Sequence, residues 1–507
     1  MGNAASDKLS ELVGEVTPSS ILVFIAAFLI CYIVFYRSNL PPGPLRIPLI
    51  GNTWWLLYQQ SKRKRLPVAV FEASKDYGDV MHFTLGREHI VFIHGYDAIH
   101  EAFVANATNF SSRPSRLMKT VDEDGLGVVM QSGKPWKILR KFTLQSLKDF
   151  GVGKSSLEEK IAFEIDAATA VLKEANGSPT DVRLLTSMII TNVIYGIIFG
   201  KRYEYTDSKF GTVIENLDTI FHAGAPIDIA SLVPKFVYKL LQNKEREQGK
   251  AANIKATKWV KDHINKEIEE HEKTFDANSI RDFVDLFIQA KYEESEKDLF
   301  TLDNLYYVIM DLFIAGSETT SNTLNWTILY MQEYPEIQQK CQNEIQEKYG
   351  ERPVKWADRG TLPYVEATLL EIQRVANIAE FSVPHTNENE ATLRSYRIPK
   401  DSIVQANLLS SHMDPRYWDE PQQFKPERFL QDGKIKKNKA FMPFSVGPRM
   451  CLGENLAKME IFLTFTNFLQ RFTFKAENED TRHSFECIFE QLTCAPLPYK
   501  TRPISRT

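Results

Sequence analysis

From Thr17 to Tyr36 the chain carries no charged residue, and Ile21–Tyr36 reads ILVFIAAFLICYIVFY. Twenty such residues in an α-helix span about 30 Å, one bilayer hydrocarbon core. No other stretch narrows the fold as much: it crosses a membrane, or it is a signal peptide and is removed. Its flanks discriminate. Asp7, Glu11 and Glu15 precede it with Lys8 as the one basic residue, and Arg37, Arg46, Lys62, Arg63, Lys64 and Arg65 follow it. The positive-inside rule then places residues 1–16 in the lumen, 17–36 in the membrane as an anchor helix, and the rest in the cytosol. An acidic lead and the lack of a small-x-small site after the run argue against cleavage. Met1–Ser6 also fits the N-myristoylation pattern, which conflicts with a translocated N-terminus and also arises by chance.

Leu40-Pro41-Pro42-Gly43-Pro44 cannot continue a helix. Residues 37–48 therefore read as a basic, proline-rich linker, either a stiff spacer or an ordinary helix stop. Beyond it Gly, Pro and charge are spread evenly, with no low-complexity tract and no repeat. This argues for one cytosolic catalytic domain over 49–507, although 507 residues suggest about three domains by length alone. Val80–Phe92 alternates as a hairpin with Gly86 at its turn. Lys250–Lys273 reads as a solvated helix, Phe300–Tyr334 as a long apolar helix stopped by Pro335, and Asn455–Phe468 as a further helix. The fold class is mainly α with minor β. A chain that is 43% hydrophobic and 25% charged, with 61 basic against 65 acidic residues, is neither disordered nor a nucleic-acid binder by charge. Cys31, Cys341, Cys451, Cys487 and Cys494 are scattered without C-x-x-C, which suits a reducing compartment without structural disulfides or zinc.

Four constellations carry chemistry. Phe444-Ser445-Val446-Gly447-Pro448-Arg449-Met450-Cys451-Leu452-Gly453-Glu454 delivers a cysteine just ahead of a helix. Free N–H groups and the dipole there favour thiolate. Gly447 permits a tight turn, Gly453 lets backbone approach a flat ligand, and Arg449 meets an anionic group beside a metal. In Ala315-Gly316-Ser317-Glu318-Thr319-Thr320, mid-helix Gly, Ser and Thr open a groove where an acid and an alcohol relay protons; a close helix crossing is the alternative. Glu371 and Arg374 pair at i,i+3, and Arg428 of Pro426-Glu427-Arg428-Phe429 adds a second guanidinium to one buried carboxylate. Trp136 and Arg140, i,i+4 after Pro135, share a helix face.

The cysteine loop resembles, without departure, the haem-binding signature F-x-x-G-x-R-x-C-x-G of the cytochrome P450 superfamily. Ala315–Thr319 resembles its A-G-x-[DE]-T motif, Glu371–Arg374 its E-x-x-R, Pro426–Phe429 its P-E-R-F, and Trp136–Arg140 its W-x-x-x-R. The likeness runs from about Pro41 to Pro498 and is nearest to the microsomal branch that acts on drugs, fatty acids and steroids. It implies the cytochrome P450 fold, a single large haem-binding domain after the anchor. It implies haem b (iron protoporphyrin IX) with the Cys451 thiolate as axial ligand, and Glu318 and Thr319 as the proton-delivery pair. Arg113, Trp136, Arg140, His385 and Arg449 become propionate partners, with Ala315, Phe444, Gly447 and Gly453 lining the cofactor. Glu371, Arg374 and Arg428 become a structural network. The implied activity is monooxygenation of a lipophilic small molecule at the endoplasmic reticulum. Electrons would come from NADPH–cytochrome P450 reductase, with cytochrome b5 a further partner and no nucleic acid. The competing readings are a reductase-independent isomerase or dehydratase and a non-catalytic haem protein. Phe313, Ile314 and Phe381 suggest an apolar pocket, lined by analogy by the Arg113–Lys134 loop, the Tyr203–Lys250 region, Asp311–Thr319, Ala379–Val383 and a loop near Leu492.

Overall fold

A computed structural model describes residues 17–35, 39–47, 50–115, 125–222, 244–293, 296, 298–478, 482–490 and 493–506. The N-terminal run forms helix α1, Pro18–Phe35, with side chains described as far as Phe28. Ile21, Leu22, Val23, Phe24, Ile25 and Phe28 are all exposed. Among the described residues no helix is long and apolar enough to cross a membrane. The expected lumenal segment 1–16 lies outside the described residues.

The proline-rich segment is a strap rather than a free spacer. Pro42 O accepts from His82 N at 2.9 Å, Asn39 O from Arg397 N at 2.6 Å, and Pro44 O from Asn52 Nδ2 at 2.9 Å. A Cβ on Gly43 would sit 2.3 Å from His82 O. Missing proline N–H groups leave carbonyls free to accept, which suits Pro-rich backbone to lie along a strand. The linker expected over 37–48 is therefore docked on the domain from Asn39 onward.

After α2 (Thr53–Ser61) and α3 (Leu66–Tyr77) comes the expected hairpin, β1 (Val80–Leu85) and β2 (Glu88–His94), with Gly86 at φ +59°. β2 pairs in parallel with Ile403–Asn407, which pairs antiparallel with His385–Thr386, giving four strands. The remaining sheets among the described residues are two-stranded. Helices dominate: α4 (Gly133–Asp149), α5 (Ser155–Glu174), α6 (Arg183–Ile198), α7 (Ser208–His222), α8 (Lys244–Thr274), α9 (Phe283–Glu293), α10 (Leu302–Glu333), α11 (Pro335–Tyr349), α12 (Pro363–Ala376) and α13 (Glu454–Arg471).

Local chemistry sets their ends. Thr301 caps α10, its hydroxyl accepting from Asn304 N at 3.1 Å, and Pro335 opens α11. Asn377, at φ +40°, ends α12 in the left-handed conformation that asparagine tolerates. α8 departs from the solvated helix expected of it: Ala256, Val260, Ile264 and Ile268 recur every four residues and are buried. One contiguous core joins α5, α6, α9, α10, α11, α12 and α13, and two smaller clusters back the sheet. The hairpin Cys487–Glu490/Thr493–Pro496 brings Cys487 and Cys494 side by side, Cα to Cα 5.4 Å. Positions seven apart carry no framework spacing, and only the strand pairing makes them neighbours.

Candidate haem site

The cysteine loop is shaped by one residue above all. Gly447 adopts φ +82°, and a Cβ on it would lie 2.0 Å from Phe103 O, so backbone approach and the left-handed conformation both demand glycine. Gly453 precedes α13 with nothing within 4 Å of a would-be Cβ, leaving open space beside it. Between them Cys451 N donates to Phe444 O at 2.9 Å, and the Phe444 ring has Lys458 Nζ 5.3 Å from its centroid. The Cys451 residue remains solvent-accessible. Its thiol pKa is raised: burial outweighs the Gly453 N–H, and Glu454 adds to the rise against Arg140 and Lys458. The Gly453 N–H, Arg140 and Lys458 favour the thiolate against desolvation and Glu454, and a bound cation tips that balance to the thiolate. Cys341, by contrast, is fully buried and pushed up to about 12, an inert core thiol.

Three guanidiniums gather beside the loop. Arg449 donates from Nε to Ser111 O at 2.8 Å and from Nη2 to Gln131 O, and it lies 3.7 Å over the Trp136 ring. Arg113 donates from Nε to Val129 O at 3.0 Å and from Nη1 to Pro384 O at 2.8 Å. Arg140, one turn after Trp136 on α4, donates to Met450 O at 2.5 Å. Burial depresses all three. Arg113 falls to about 9 and Arg449 to about 8, each also lowered by neighbouring guanidiniums. Asp311 partly offsets Arg113, but its carboxylate also accepts from Val128 N at 2.7 Å and Val129 N at 2.8 Å. Trp136 Nε1 is buried without an acceptor. Buried like charges and an orphaned N–H call for an anion. A flat dianionic cofactor with two carboxylates supplies one.

His385 stacks on Phe103 at 3.8 Å, and its Nδ1 donates to Phe110 O at 2.7 Å. Burial, Arg113 and Arg449 hold it well below the usual imidazole range. The neutral tautomer leaves Nε2 an acceptor, so a carboxylate there requires protonation first. The sequence does not reveal this coupling.

On α10 the small-residue motif divides by face. Ala315 is exposed, whereas a Cβ on Gly316 would sit 2.5 Å from Ile194 Cδ1 of α6. Gly316 therefore serves the helix crossing rather than ligand room, which corrects the ligand reading in favour of its alternative. Phe313 is likewise core, 5.8 Å from Tyr195 and 5.9 Å from Phe199 between ring centroids. Thr319 Oγ1 donates to Ala315 O at 2.6 Å, and Asn322 Nδ2 donates to Glu318 Oε1 at 2.6 Å. Residues 116–124, 223–243 and 491–492 of the candidate pocket segments lie outside the described residues. Within Ala379–Val383, Ala379, Phe381 and Val383 are half-buried, while Glu380 and Ser382 are buried. Glu380 meets Arg65 of the α2–α3 junction at 2.5 Å. An acid in an apolar segment was the overlooked signal for that pair.

Glu371 and Arg374 are fully buried. Arg374 Nε and Nη2 donate to the two carboxylate oxygens, each at 2.8 Å; Arg428 Nε and Lys425 N both reach Oε1 at 2.9 Å. Arg374 also ties His412 O at 2.9 Å and Pro421 O at 2.7 Å.

A family model described as Cytochrome P450 matches residues 41–502. The chain is a cytochrome P450. Human cytochrome P450 2J2 (Homo sapiens) is 38% identical over 473 residues, covering 92% of each chain. Rabbit cytochrome P450 2J1 (Oryctolagus cuniculus) is 35% identical over 486 residues, 94% of this chain and 95% of the relative. Rat cytochrome P450 2B2 (Rattus norvegicus) is 37% identical over 444 residues, 86% of this chain and 88% of the relative. As a cytochrome P450 it is a haem-thiolate monooxygenase, with haem held by a cysteine thiolate, on the microsomal branch that its motifs resemble.

Proposed function

We propose that this cytochrome P450 is anchored in the endoplasmic reticulum membrane and oxygenates lipophilic small molecules with electrons from NADPH–cytochrome P450 reductase. The observation that carries the site assignment is the gathering of Arg113, Arg140 and Arg449 with the orphaned Trp136 Nε1 beside Cys451. Cys451 would hold the haem iron through its sulfur, and the three arginines, Trp136 and a protonated His385 would hold the propionates. Haem bound there supplies oxygen activation, aided by electron density from the thiolate. The protein's own part is positioning and proton handling. Gly447 and the Phe444 carbonyl fix the loop, and the Glu371–Arg374–Arg428 network holds the segment around Lys425. Glu318 and Thr319 of α10 hold and move protons.

The exposed apolar face of α1 supports the anchor, and a second patch adds to it. Trp54, Leu57 and Tyr58 at i, i+3 and i+4 of α2, with Leu45 and Ile47, are exposed next to Lys62, Arg63 and Lys64. The reductase meets the basic side around α4 and the loop before the cysteine. There Lys137, Lys141, Lys434, Lys436 and Lys437 are exposed, while Lys134 is paired with Glu296 at 2.5 Å and Lys439 with Asp97 at 3.7 Å.

The reduced-minus-CO difference spectrum of the full chain tests ligation. A thiolate-type Soret band is expected, lost in Cys451→Ser; a histidine-type band in the unmodified protein refutes the assignment. NADPH consumption with reductase over a broad substrate panel separates the reading from its alternatives. Turnover without NADPH would favour an isomerase, and no consumption a non-catalytic haem protein.

A further inference from the structure

We propose that Asn322 is a positioning residue that holds the Glu318 carboxylate against α10 and so sets how often the acid faces the cofactor. The inference rests on the proton-delivery reading above and deepens it. Glu318 and Asn322 are i,i+4 on α10, and helical side chains lean toward the N-terminus, so the Asn322 amide falls onto the acid. Its Nδ2 donates to Glu318 Oε1 at 2.6 Å. Asparagine is a poor residue for a helix interior, and this one is 6% exposed in the middle of a 32-residue helix. Its amide is used, and what it uses is the one acid of the motif.

The neighbouring hydroxyls turn inward as well. Thr319 Oγ1 donates to Ala315 O at 2.6 Å, Thr323 Oγ1 to Thr319 O at 2.8 Å, and Ser321 Oγ to Glu318 O at 3.1 Å. Acid and alcohol are thus both parked on their own helix, one turn from the exposed Ala315 side chain. Turning the acid toward the cofactor requires breaking its bond to Asn322, and turning the alcohol requires breaking its bond to Ala315 O.

The test uses the full-chain holoenzyme, reduced and CO-bound, and reads the C–O infrared stretch, which responds to polar groups facing the bound CO. Asn322→Leu, close in size but without N–H, is expected to raise the released-acid population by roughly tenfold, seen as a shifted or additional C–O band. Asn322→Ser is the second variant should the first fold poorly, and Asn322→Gln, which keeps an amide donor, should restore the original band. In the Glu318→Gln background Asn322→Leu should add no further change. An unchanged spectrum in both Asn322→Leu and Asn322→Ser, or a shift that persists undiminished in the Glu318→Gln background, overturns the proposal. Product formed per NADPH separates the two levels. If Glu318→Gln leaves it unchanged, the proton-delivery reading fails. If Glu318→Gln lowers it while Asn322→Leu changes neither yield nor spectrum, only the positioning role fails.

Discussion

Replacing Glu371 by Gln keeps the shape of the side chain and removes one charge from between two guanidiniums. In the native chain its carboxylate accepts from Arg374 Nε and Nη2, Arg428 Nε and Lys425 N, all at 2.8–2.9 Å. The side chains of Glu371 and Arg374 are 0% exposed and that of Arg428 is 8% exposed. The amide would keep one acceptor and turn an NH2 group toward a cation. Carbonyls of His412, Pro421 and Gln423 still hold Arg374, so hydrogen bonding is only partly lost; the uncompensated charge remains. Breaking a buried pair from one side costs about 3–5 kcal/mol, roughly a 100- to 4,000-fold change in the folding equilibrium. Denaturant unfolding of the full-chain protein, followed by tryptophan fluorescence, measures it as a fall in midpoint at unchanged slope. Arg428→Met supplies the cycle: its cost should be much smaller in the Glu371→Gln background. A Glu371→Gln variant within about 0.5 kcal/mol of the parent, or an Arg428→Met cost equal in both backgrounds, would refute the network as a coupled unit.

Gly447→Ala forces a Cβ to within 2.0 Å of Phe103 O at φ +82°, and a loss of haem per chain of at least about tenfold is expected by absorbance against protein concentration. Trp136→Phe keeps an aromatic ring under Arg449 and removes the orphaned N–H together with the rest of the indole's five-membered ring; haem should transfer to a scavenging protein about tenfold faster. His271 is the pH test. Its Nε2 donates to Asp282 at 2.9 Å and its Nδ1 to Glu267 O at 2.7 Å, and its pKa is raised, held up against burial by these two acceptors. A folded value above the unfolded one means the stabilisation is complete below about pH 6.5 and disappears as pH rises through the folded value. The stability gap between parent and His271→Gln should therefore be larger at acid pH than at alkaline pH, and a gap that widens toward alkaline pH contradicts the assignment.

Some of the site is legible because its parts are adjacent in sequence. The Phe444–Glu454 loop places a constrained glycine, an arginine and a cysteine within eleven residues, and Glu371–Arg374 share a helix face by periodicity alone. Other parts are not. Small residues in Ala315–Thr320 suit either a ligand or a crossing helix, and only the position of Ile194 decides that Gly316 belongs to the crossing. Phe313 is apolar in sequence wherever it points, and its contact with Tyr195 and Phe199 makes it core. A cysteine before a helix predicts a thiolate, and only the folded loop shows that Arg140 and Lys458 favour it while Glu454 opposes it.

The sequence alone therefore determined the family, the cofactor class and the identity of the ionisable groups, because each is carried by residue types at short, fixed spacing. Tertiary structure decided what each group faces. Arg113 and Arg449 stand 336 positions apart, yet both reach the Val129 carbonyl. Their depressed pKa values, the orphaned Trp136 N–H and the Asn322 hold on Glu318 depend on burial and direction. Those quantities exist only once helices and loops are packed, since desolvation and hydrogen-bond geometry are properties of the folded surroundings and not of the chain.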